Sequence, residues 1–364
     1  MRPCRYKRIF LAFLFLAFQS VMTSAAADSS LTDFPANAGE GDDAARLQRA
    51  IDATPGGVLK IPAGVVRLSS PVCITNLCSL ELHKNAILRA VRPMDCVLKV
   101  DNSVRARLRD ADGRNDFGCF VTGGRIDGNG LASCMMLDGF CHYTLRDVQF
   151  LNGRRFGLQV NGEKPGCELI AQNLYFRCLL RGLAGNTGVR IMGSDSHYTD
   201  IIVTDYTVGF DIARGGANRL TRCHVWGGPL PPAKKGEDRE MLKDSVCFRI
   251  GETAASTILR DCYADSGKTG FLNFGWETML FGCCYFNNSR VYHLDDVTIV
   301  RQPAGTMLVS GGTFVKSCDK VKIYEGNGRI AWRDMQYSRF GDGRPLPGKC
   351  DLDASGSKEI DLGK

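Results

Sequence analysis

The sequence predicts an all-β chain, a single-stranded right-handed parallel β-helix that begins with a short capping helix. Beyond residue 57 a motif recurs: a start residue, an apolar–polar–apolar triplet, a turn and a second short strand. A period of about 20–25 residues with several short strands indicates a solenoid. The sequence lacks the leucine and asparagine ladders of leucine-rich repeats. Propeller blades would need about twice this period, so both folds are disfavoured. The motif starts at Gly157, Gly188, Gly209, Cys247, Phe271 and Val291.

The first 27 residues have the layout of a secretory signal peptide. Four basic residues precede the apolar run Ile9–Phe18, and the small residues Ser24–Ala27 offer a cleavage site. The apolar run is too short to span a membrane. We therefore expect residues 28–364 to form one secreted or periplasmic β-helix domain without a membrane contact. The four leader cations account for much of the formal charge of +7, and the other Lys and Arg residues are dispersed, which argues against nucleic-acid binding.

The capping helix is predicted at about residues 42–53. Asp42 or Asp43 can cap its first turn, and Pro55 with two glycines ends it. Its apolar residues recur at helical spacing, which predicts one buried face. They are Ala44, Leu47, Ala50 and Ile51.

The middle residue of each triplet is expected to point outward, because side chains alternate along a strand. The resulting row is Gln159, Arg190, Asp211, Arg249, Asn273 and His293, and Asp295 continues the same face. Such a row fits a groove for a polar ligand. It equally fits a solvated face on which Arg190, Asp211 and Arg249 pair between rungs.

The second strands predict another outward row, rich in aromatic residues that can stack on sugar rings. It consists of Arg125, Gln149, Tyr175, Thr204, His224, Tyr263, Tyr285 and Phe314, with Asp127, Trp226 and Asp265 beyond it. The alternative is that a loop inserted at about residues 229–243 covers these aromatics.

The cysteines predict an interior ladder more readily than a metal site. Cys223, Cys262 and Cys284 are expected at one inward position on three rungs, where small thiols pack well. A disulfide between Cys73 and Cys78 is the alternative for these two cysteines. Paired CxxC spacings and an HExxH motif are absent from the sequence, so no metal or cofactor is assigned. Calcium is kept as an alternative through three nearby acids, Asp195, Asp200 and Asp205.

Two segments resemble known β-helix proteins. The stretch GEGDDAARLQRAIDATPGGVLKIPAGVVRLSS, which starts at Gly39, resembles the N-terminal signature of the pectate-lyase-like superfamily. The segment GGRIDGNG (123–130) is similar to a rung of family 28 glycoside hydrolases, the polygalacturonase-like enzymes. The resemblance implies the β-helix fold and action on carbohydrate. However, Asn186-Thr187 is followed by Gly188 where these enzymes have aspartate, and GHG and RIK motifs are missing, so their catalytic residues do not transfer.

The leading hypothesis is a secreted enzyme that cleaves glycosidic bonds of a plant or algal polysaccharide or oligosaccharide, by hydrolysis rather than elimination. Its candidate catalytic residues are Asp211, Asp295, His293 and Arg249. Its candidate substrate-binding residues are Arg190, Asn273, Gln159, His224, Trp226, Tyr263 and Asp265. Asp127 with Asp265 is an alternative pair of carboxylates.

Two other functions are kept. A polysaccharide lyase acting on a uronic-acid polymer would use Arg190 and Arg249 against the carboxylate, with His293 or His224 as the base. A non-catalytic glycan-binding or adhesion protein would need only the aromatic row. The chain is expected to be a monomer or a homotrimer.

Overall fold

A computed structural model describes most of the predicted β-helix. The described residues are 28–102, 118–180, 183, 185–227, 244–286, 297–316 and 321–339. The predicted signal peptide, the loop predicted at 229–243, His293 and Asp295 lie outside them, and these remain predictions. Among the described residues, no helix has the length and apolar character that crossing a membrane requires.

The described strands belong to three parallel sheets. Sheet I contains β1 (Ser29–Ser30), β2 (Val58–Ile61), β5 (Ser79–Leu82), β8 (Phe120–Thr122), β11 (Thr144–Arg146), β14 (Ile170–Gln172), β17 (His197–Thr199), β20 (Arg219–Thr221), β23 (Ile258–Arg260), β26 (Thr278–Phe281), β29 (Thr306–Ser310) and β32 (Arg329–Arg333). Sheet II contains β4 (Val72–Ile74), β7 (Cys96–Asp101), β10 (Ser133–Asp138), β13 (Phe156–Val160), β16 (Thr187–Ile191), β19 (Val208–Gly216), β22 (Val246–Ala255), β25 (Thr269–Asn273), β28 (Thr298–Gln302) and β31 (Lys322–Gly326). Sheet III contains β3 (Gly64–Leu68), β6 (Ala86–Ala90), β9 (Arg125–Asp127), β12 (Gln149–Leu151), β15 (Tyr175–Arg177), β18 (Ile202–Thr204), β21 (His224–Trp226), β24 (Tyr263–Asp265), β27 (Cys284–Phe286), β30 (Thr313–Lys316) and β33 (Gln336–Arg339).

The chain winds through the sheets in a fixed order. Each rung contributes a strand to sheet I, then to sheet III, then to sheet II, and every strand pairs with the equivalent strand of the next rung. Neighbouring strands lie about 4.8 Å apart. The predicted right-handed parallel β-helix is confirmed.

Single residues in the left-handed region turn the chain at the corners. Between sheets I and III these include Asp147, Asn173, Asp200, Arg222 and Asp261, with φ between 51° and 59°. Asp and Asn tolerate this conformation better than most side chains. Sequence reasoning suggests glycine for such corners, but several glycines instead face the core. At Gly188, for example, a Cβ atom would lie 2.4 Å from Cγ1 of Val203.

The interior is built from ladders of identical or similar side chains. Phe210, Phe248 and Phe271 stack with ring centroids 5.4 and 5.3 Å apart. The predicted cysteine ladder exists, but its third member is Cys283, which is buried, and not Cys284, which lies half-buried on the outer side. Cys73 and Cys78 are free thiols.

The capping helix α1 (Ala44–Asp52) covers the first rung, as predicted. Leu47, Ala50 and Ile51 are fully buried beneath it. Asp42 accepts a 2.8 Å hydrogen bond from the backbone N–H of Ala44. A 3₁₀ helix (Leu31–Asp33) precedes α1.

Candidate functional site

The outer side of sheet II carries most of the first predicted row. Gln159, Arg190, Asp211 and Arg249 occupy successive positions of one register column, on β13, β16, β19 and β22. We call these four residues face II. The strands therefore bring these four candidates together.

Asn273 does not belong to this row, so its predicted outward position is wrong. Leu272 is the partner of Arg249, and Asn273 pairs with Ile250 and is fully buried. Its amide accepts hydrogen bonds from the N–H of Gly275 (3.1 Å) and the hydroxyl of Thr278 (2.9 Å). The polar side chain lies inside because it satisfies polar groups of the next corner.

The centre of face II is a three-residue ionic cluster. Both oxygens of Asp211 accept 2.8 Å hydrogen bonds from the guanidinium of Arg249, and Arg190 Nε lies 3.5 Å from Oδ2. The hydrogen bonds to Asp211 raise the pKa of Arg249. Asp211 is only 2% exposed. A buried carboxylate with both oxygens engaged by one guanidinium is poorly placed to act as a nucleophile or a general base, which favours the charge-pairing interpretation.

Face II also lacks a second carboxylate where hydrolysis would need one. A second register column, three residues earlier on the same strands, consists of Phe156, Thr187, Val208, Val246, Thr269 and Thr298. Among the described residues of these two columns, from the rung of Phe156 to that of Thr298, Asp211 is the single acid. Its proposed partner, Asp295, lies outside the described residues.

A cavity of about 710 Å³ lies at the N-terminal end of face II. Its wall is rich in basic side chains: Lys99, Arg154 and Arg155 line it together with Phe156, Gln159 and Glu163. Lys99 pairs with Glu163 at 2.9 Å. The guanidinium groups of Arg155 and Arg190 lie 5.3 and 5.5 Å from the centroid of the Phe156 ring. The cavity is thus suited to polar, acidic groups.

The second predicted row lies on sheet III, with three corrections of register. The observed column is Arg125, Gln149, Tyr175, Ile202, His224, Tyr263, Cys284 and Thr313. Tyr285 and Phe314 are buried, and Thr204 lies two residues along, beside Trp226. In β27 and β30 the first residue, Cys284 or Thr313, occupies the column instead of the second, so Tyr285 and Phe314 face the core.

The remaining candidates of sheet III meet in one cluster, which we call face III: His224, Trp226, Tyr263 and Asp265. The rings of His224 and Tyr263 stack at 4.6 Å with an angle of 13° between their planes. Trp226 and Asp265 are register partners on the same two strands. Two neighbouring rungs therefore place an imidazole, a phenol, an indole and a carboxylate side by side.

Asp265 is the polar centre of face III. Its Oδ1 accepts a 2.6 Å hydrogen bond from the hydroxyl of Ser266, and its Oδ2 lies 3.8 Å from Nε2 of His224. Nε2 is buried and has no hydrogen-bond partner among the described residues. The imidazole is one-third exposed, so its exposed part lies away from Nε2. The ring thus has one edge toward Asp265 and another toward solvent.

Tyr263 is held in its protonated form. Burial raises the pKa of its phenol, and the charge of Asp265 and a hydrogen bond to it raise the pKa further. A hydroxyl that keeps its proton at neutral pH can serve as a proton donor.

Sequence reasoning missed Arg177, which lies in the same column as Trp226, two rungs earlier. Arg177 Nε lies 3.5 Å from Asp205, and its side chain is 43% exposed. Arg177 directly follows the strand predicted at 174–176 and lies two residues after Tyr175, which was a usable signal. Arg177 adds a positive charge on the same side of sheet III.

The alternative carboxylate pair is too far apart. Asp127 and Asp265 share a register column but are separated by five rungs, which is about 24 Å at about 4.8 Å per rung. Hydrolysis needs about 5–10 Å. Asp127 is also buried and paired with Arg89 at 2.9 Å.

The three acids considered for calcium have separate surroundings. Asp200 forms a bidentate pair with Arg222, at 2.7 and 2.8 Å, whereas Asp205 pairs with Arg177. Asp195, Asp200 and Asp205 occupy three different corners of one rung. A different set, Cys141, His142 and Glu168, brings possible metal ligands together at another corner.

The chain is similar to several solved structures. The A-module of mannuronan C-5 epimerase AlgE4 from Azotobacter vinelandii matches 85% of this chain and 96% of its own, with 14% identity and a TM-score of 0.57. PfbA, a surface adhesin of Streptococcus pneumoniae, matches 86% and 92%, with 13% identity and a TM-score of 0.56. The polygalacturonase of Erwinia carotovora ssp. carotovora matches 86% and 93%, with 12% identity and a TM-score of 0.52.

No protein-family model and no curated protein sequence matches the chain. At 12–14% identity, the structural likeness establishes the fold and not the activity. The chain has a right-handed parallel β-helix fold, and these three solved structures share it.

Proposed function

We propose that this protein acts on an acidic polysaccharide at face III, by β-elimination at a uronic-acid residue. The observation that carries the proposal is the stacked pair of His224 and Tyr263 with Asp265 behind it. An imidazole oriented by a carboxylate is the usual form of a general base, and a protonated phenol beside it can act as the acid.

The proposed reaction needs no second carboxylate. The exposed edge of His224 takes the C5 proton, the electron pair forms the C4–C5 double bond, and the bond from C4 to the glycosidic oxygen breaks. Tyr263 gives its proton to that leaving oxygen and regains one from the imidazolium of His224. Asp265 orients the imidazole and stabilises its positive charge while the proton is held.

Other residues of the same face suit the binding of a sugar chain. Trp226 is partly exposed beside Asp265 and offers a flat surface for a sugar ring. Arg177, two rungs or about 10 Å away, suits the carboxylate of a neighbouring sugar. The fold is shared with a mannuronan C-5 epimerase. Mannuronan is a polymer of a uronic acid, which favours this substrate class.

The geometry favours elimination over the hydrolysis that the sequence suggested. Asp211 is engaged by Arg249 and Arg190, and Asp127 lies far from Asp265. Secretion into a space that contains such polymers remains part of the proposal, on the basis of residues 1–27.

A panel of polymannuronate, polyguluronate, polygalacturonate and neutral glucans tests the proposal. We expect ultraviolet-absorbing unsaturated ends from at least one polyuronate and none from the neutral polymers. His224→Ala and Tyr263→Phe should lower product formation at least about a hundredfold. The control Tyr175→Phe, in the same column two rungs from His224 and three from Tyr263, should retain it. New reducing ends without ultraviolet absorbance would contradict elimination and indicate hydrolysis.

Non-catalytic glycan binding is the second candidate function. It is favoured by the aromatic surface of face III and by the fold shared with a surface adhesin. Saturable binding of a polysaccharide that Trp226→Ala weakens, without new ends of either kind, would support it and would contradict the lyase proposal.

A further inference from the structure

A cluster of four side chains with metal-binding chemistry lies at a corner between sheets II and I, outside faces II and III. Cys141 and Cys167 are bridge partners on adjacent rungs, and each is followed by a residue in the left-handed region, His142 with φ 58° and Glu168 with φ 60°. The same backbone path in both rungs therefore stacks a Cys-His pair beside a Cys-Glu pair.

The donor atoms of these residues lie close together. The two Sγ atoms are 3.6 Å apart, and Sγ of Cys141 is 3.9 Å from Oε2 of Glu168. Nδ1 of His142 is 2.6 Å from the same oxygen. The donor atoms of Cys141, His142 and Glu168 all lie within 4.8 Å of one another. Cys167 lies outside this group of three and is close only to Cys141, so its side chain would have to turn toward the ion to act as the fourth ligand.

These separations are close to those of a tetrahedral zinc site. With zinc–sulfur bonds of about 2.3 Å and zinc–oxygen bonds of about 2.1 Å, two sulfurs lie about 3.8 Å apart and a sulfur and an oxygen about 3.6 Å apart. The imidazole and carboxylate would need to separate from 2.6 Å to about 3.3 Å. His142 and Glu168 are about one-third and two-fifths exposed, so their side chains have room for this adjustment and an ion has a route in.

We propose that Cys141, His142, Cys167 and Glu168 bind one zinc ion. Two thiolates, one imidazole and one carboxylate form a donor set suited to zinc, and softer than calcium or magnesium prefers. On binding, each thiol loses its proton to solvent, His142 binds as the neutral imidazole, and the site carries one net negative charge.

The ion would join an irregular segment to the preceding rung. Between β13 and β14 the chain takes a long connection, residues 161–169, which ends in Cys167 and Glu168. The other two ligands precede β11, one rung earlier. Zinc would therefore fix this connection to the rung beneath it and stabilise the fold, without taking part in chemistry at face III.

Metal analysis of the purified full-length chain tests the site. Protein prepared under reducing conditions and equilibrated with zinc should hold one equivalent of zinc, as measured by elemental mass spectrometry. Cobalt should replace zinc and give the near-ultraviolet thiolate band and the visible bands of a tetrahedral site. His142→Ala and Cys167→Ser should each weaken zinc binding at least tenfold in a competition titration.

Two matched variants control for histidine and thiol content. His197→Ala removes an exposed imidazole and Cys284→Ser a half-buried thiol elsewhere, and both should bind zinc and cobalt as the wild type does. Circular dichroism of the metal-free proteins checks folding, and His142→Ala, which changes a partly exposed side chain, provides the test if Cys167→Ser fails to fold. Three results would each overturn the proposal. The wild type could hold less than one-tenth equivalent of zinc, or the site variants could bind zinc as tightly as the wild type. A Cys141–Cys167 disulfide could also be found whose reduction yields no metal binding.

Discussion

Faces II and III come from the same sequence pattern, a polar residue at the outward position of stacked strands, but their groups are engaged differently. On face II, the two oxygens of Asp211 both accept hydrogen bonds from Arg249. On face III, one edge of the His224 ring is exposed to solvent, and Asp265 is partly exposed. The difference indicates that an outward row of charges can be a means of holding rungs together. A candidate site is distinguished by polar groups that still have capacity for a ligand.

The largest expected effect separates the two faces by activity. His224→Ala removes the imidazole, and Tyr263→Phe removes the phenolic hydroxyl. Each should lower the rate of elimination by about 10²–10⁴-fold, the usual range for a general acid or base. Asp211→Asn should leave the rate within about twofold, because face II is not in contact with the reacting sugar in our proposal. Initial rates on a polyuronate measure both. Equal losses at the two faces would remove the distinction between them.

A large effect on stability is expected at the buried amide beside face II. Asn273→Ala removes the acceptor of Gly275 N–H and the Thr278 hydroxyl, and we expect unfolding to become easier by about 2–4 kcal/mol. Its neighbour Leu272 is partly exposed, so Leu272→Ala should change the free energy of unfolding by less than about 1 kcal/mol. Urea denaturation of both variants compares them. The reverse order would restore the original assignment of Asn273 to the outer row.

An intermediate effect is expected at the ionic cluster. Asp211→Ala leaves Arg190 and Arg249 without their shared carboxylate, but both guanidinium groups reach solvent, so we expect a loss of about 1–3 kcal/mol. Combining Asp211→Ala with Arg249→Met should recover part of that loss, since one of the two positive charges left without the carboxylate is then removed. Chemical denaturation of the single and double variants measures the coupling. Additive losses would show that the pair does not act as a unit.

The smallest effect is expected at an exposed pair with the same geometry. Arg222 makes two hydrogen bonds to Asp200 at a corner, and they lower the pKa of that carboxyl. Because the folded pKa is lowered, the contribution is present above the ordinary value of 3.8 and is lost as the pH falls through the lowered value. In urea denaturation at pH 7, Arg222→Ala should lower the free energy of unfolding less than Asp211→Ala does, and the loss should shrink further in high salt. A loss as large as that of Asp211→Ala would argue that burial is unimportant for these pairs.

The sequence predicts the coarse architecture well because its signals are local and repeated. The helical spacing of Leu47, Ala50 and Ile51 and the stacked triplets are enough to identify a capped β-helix, and the four residues of face II fall in the predicted order.

Register is where prediction from the sequence is weakest. In strands of three residues, side-chain direction depends on where the left-handed corner residue falls, and a shift by one residue exchanges inside and outside. Taking the middle residue of each triplet as the outward one therefore misplaced Asn273, Tyr285 and Phe314, and the same shift by one residue put Cys284 in place of Cys283 in the interior ladder. The Cys-His and Cys-Glu pairs were missed because their nearness depends on the length of one rung and not on a short motif.

Hydrogen–deuterium exchange with and without a polyuronate oligomer tests the central claim most directly, that face III and not face II receives the glycan. We expect slower exchange in β21 and β24, around His224–Trp226 and Tyr263–Asp265, and no change in β19 and β22 around Asp211 and Arg249. Protection confined to β16, β19 and β22 would contradict the account and place the ligand on face II.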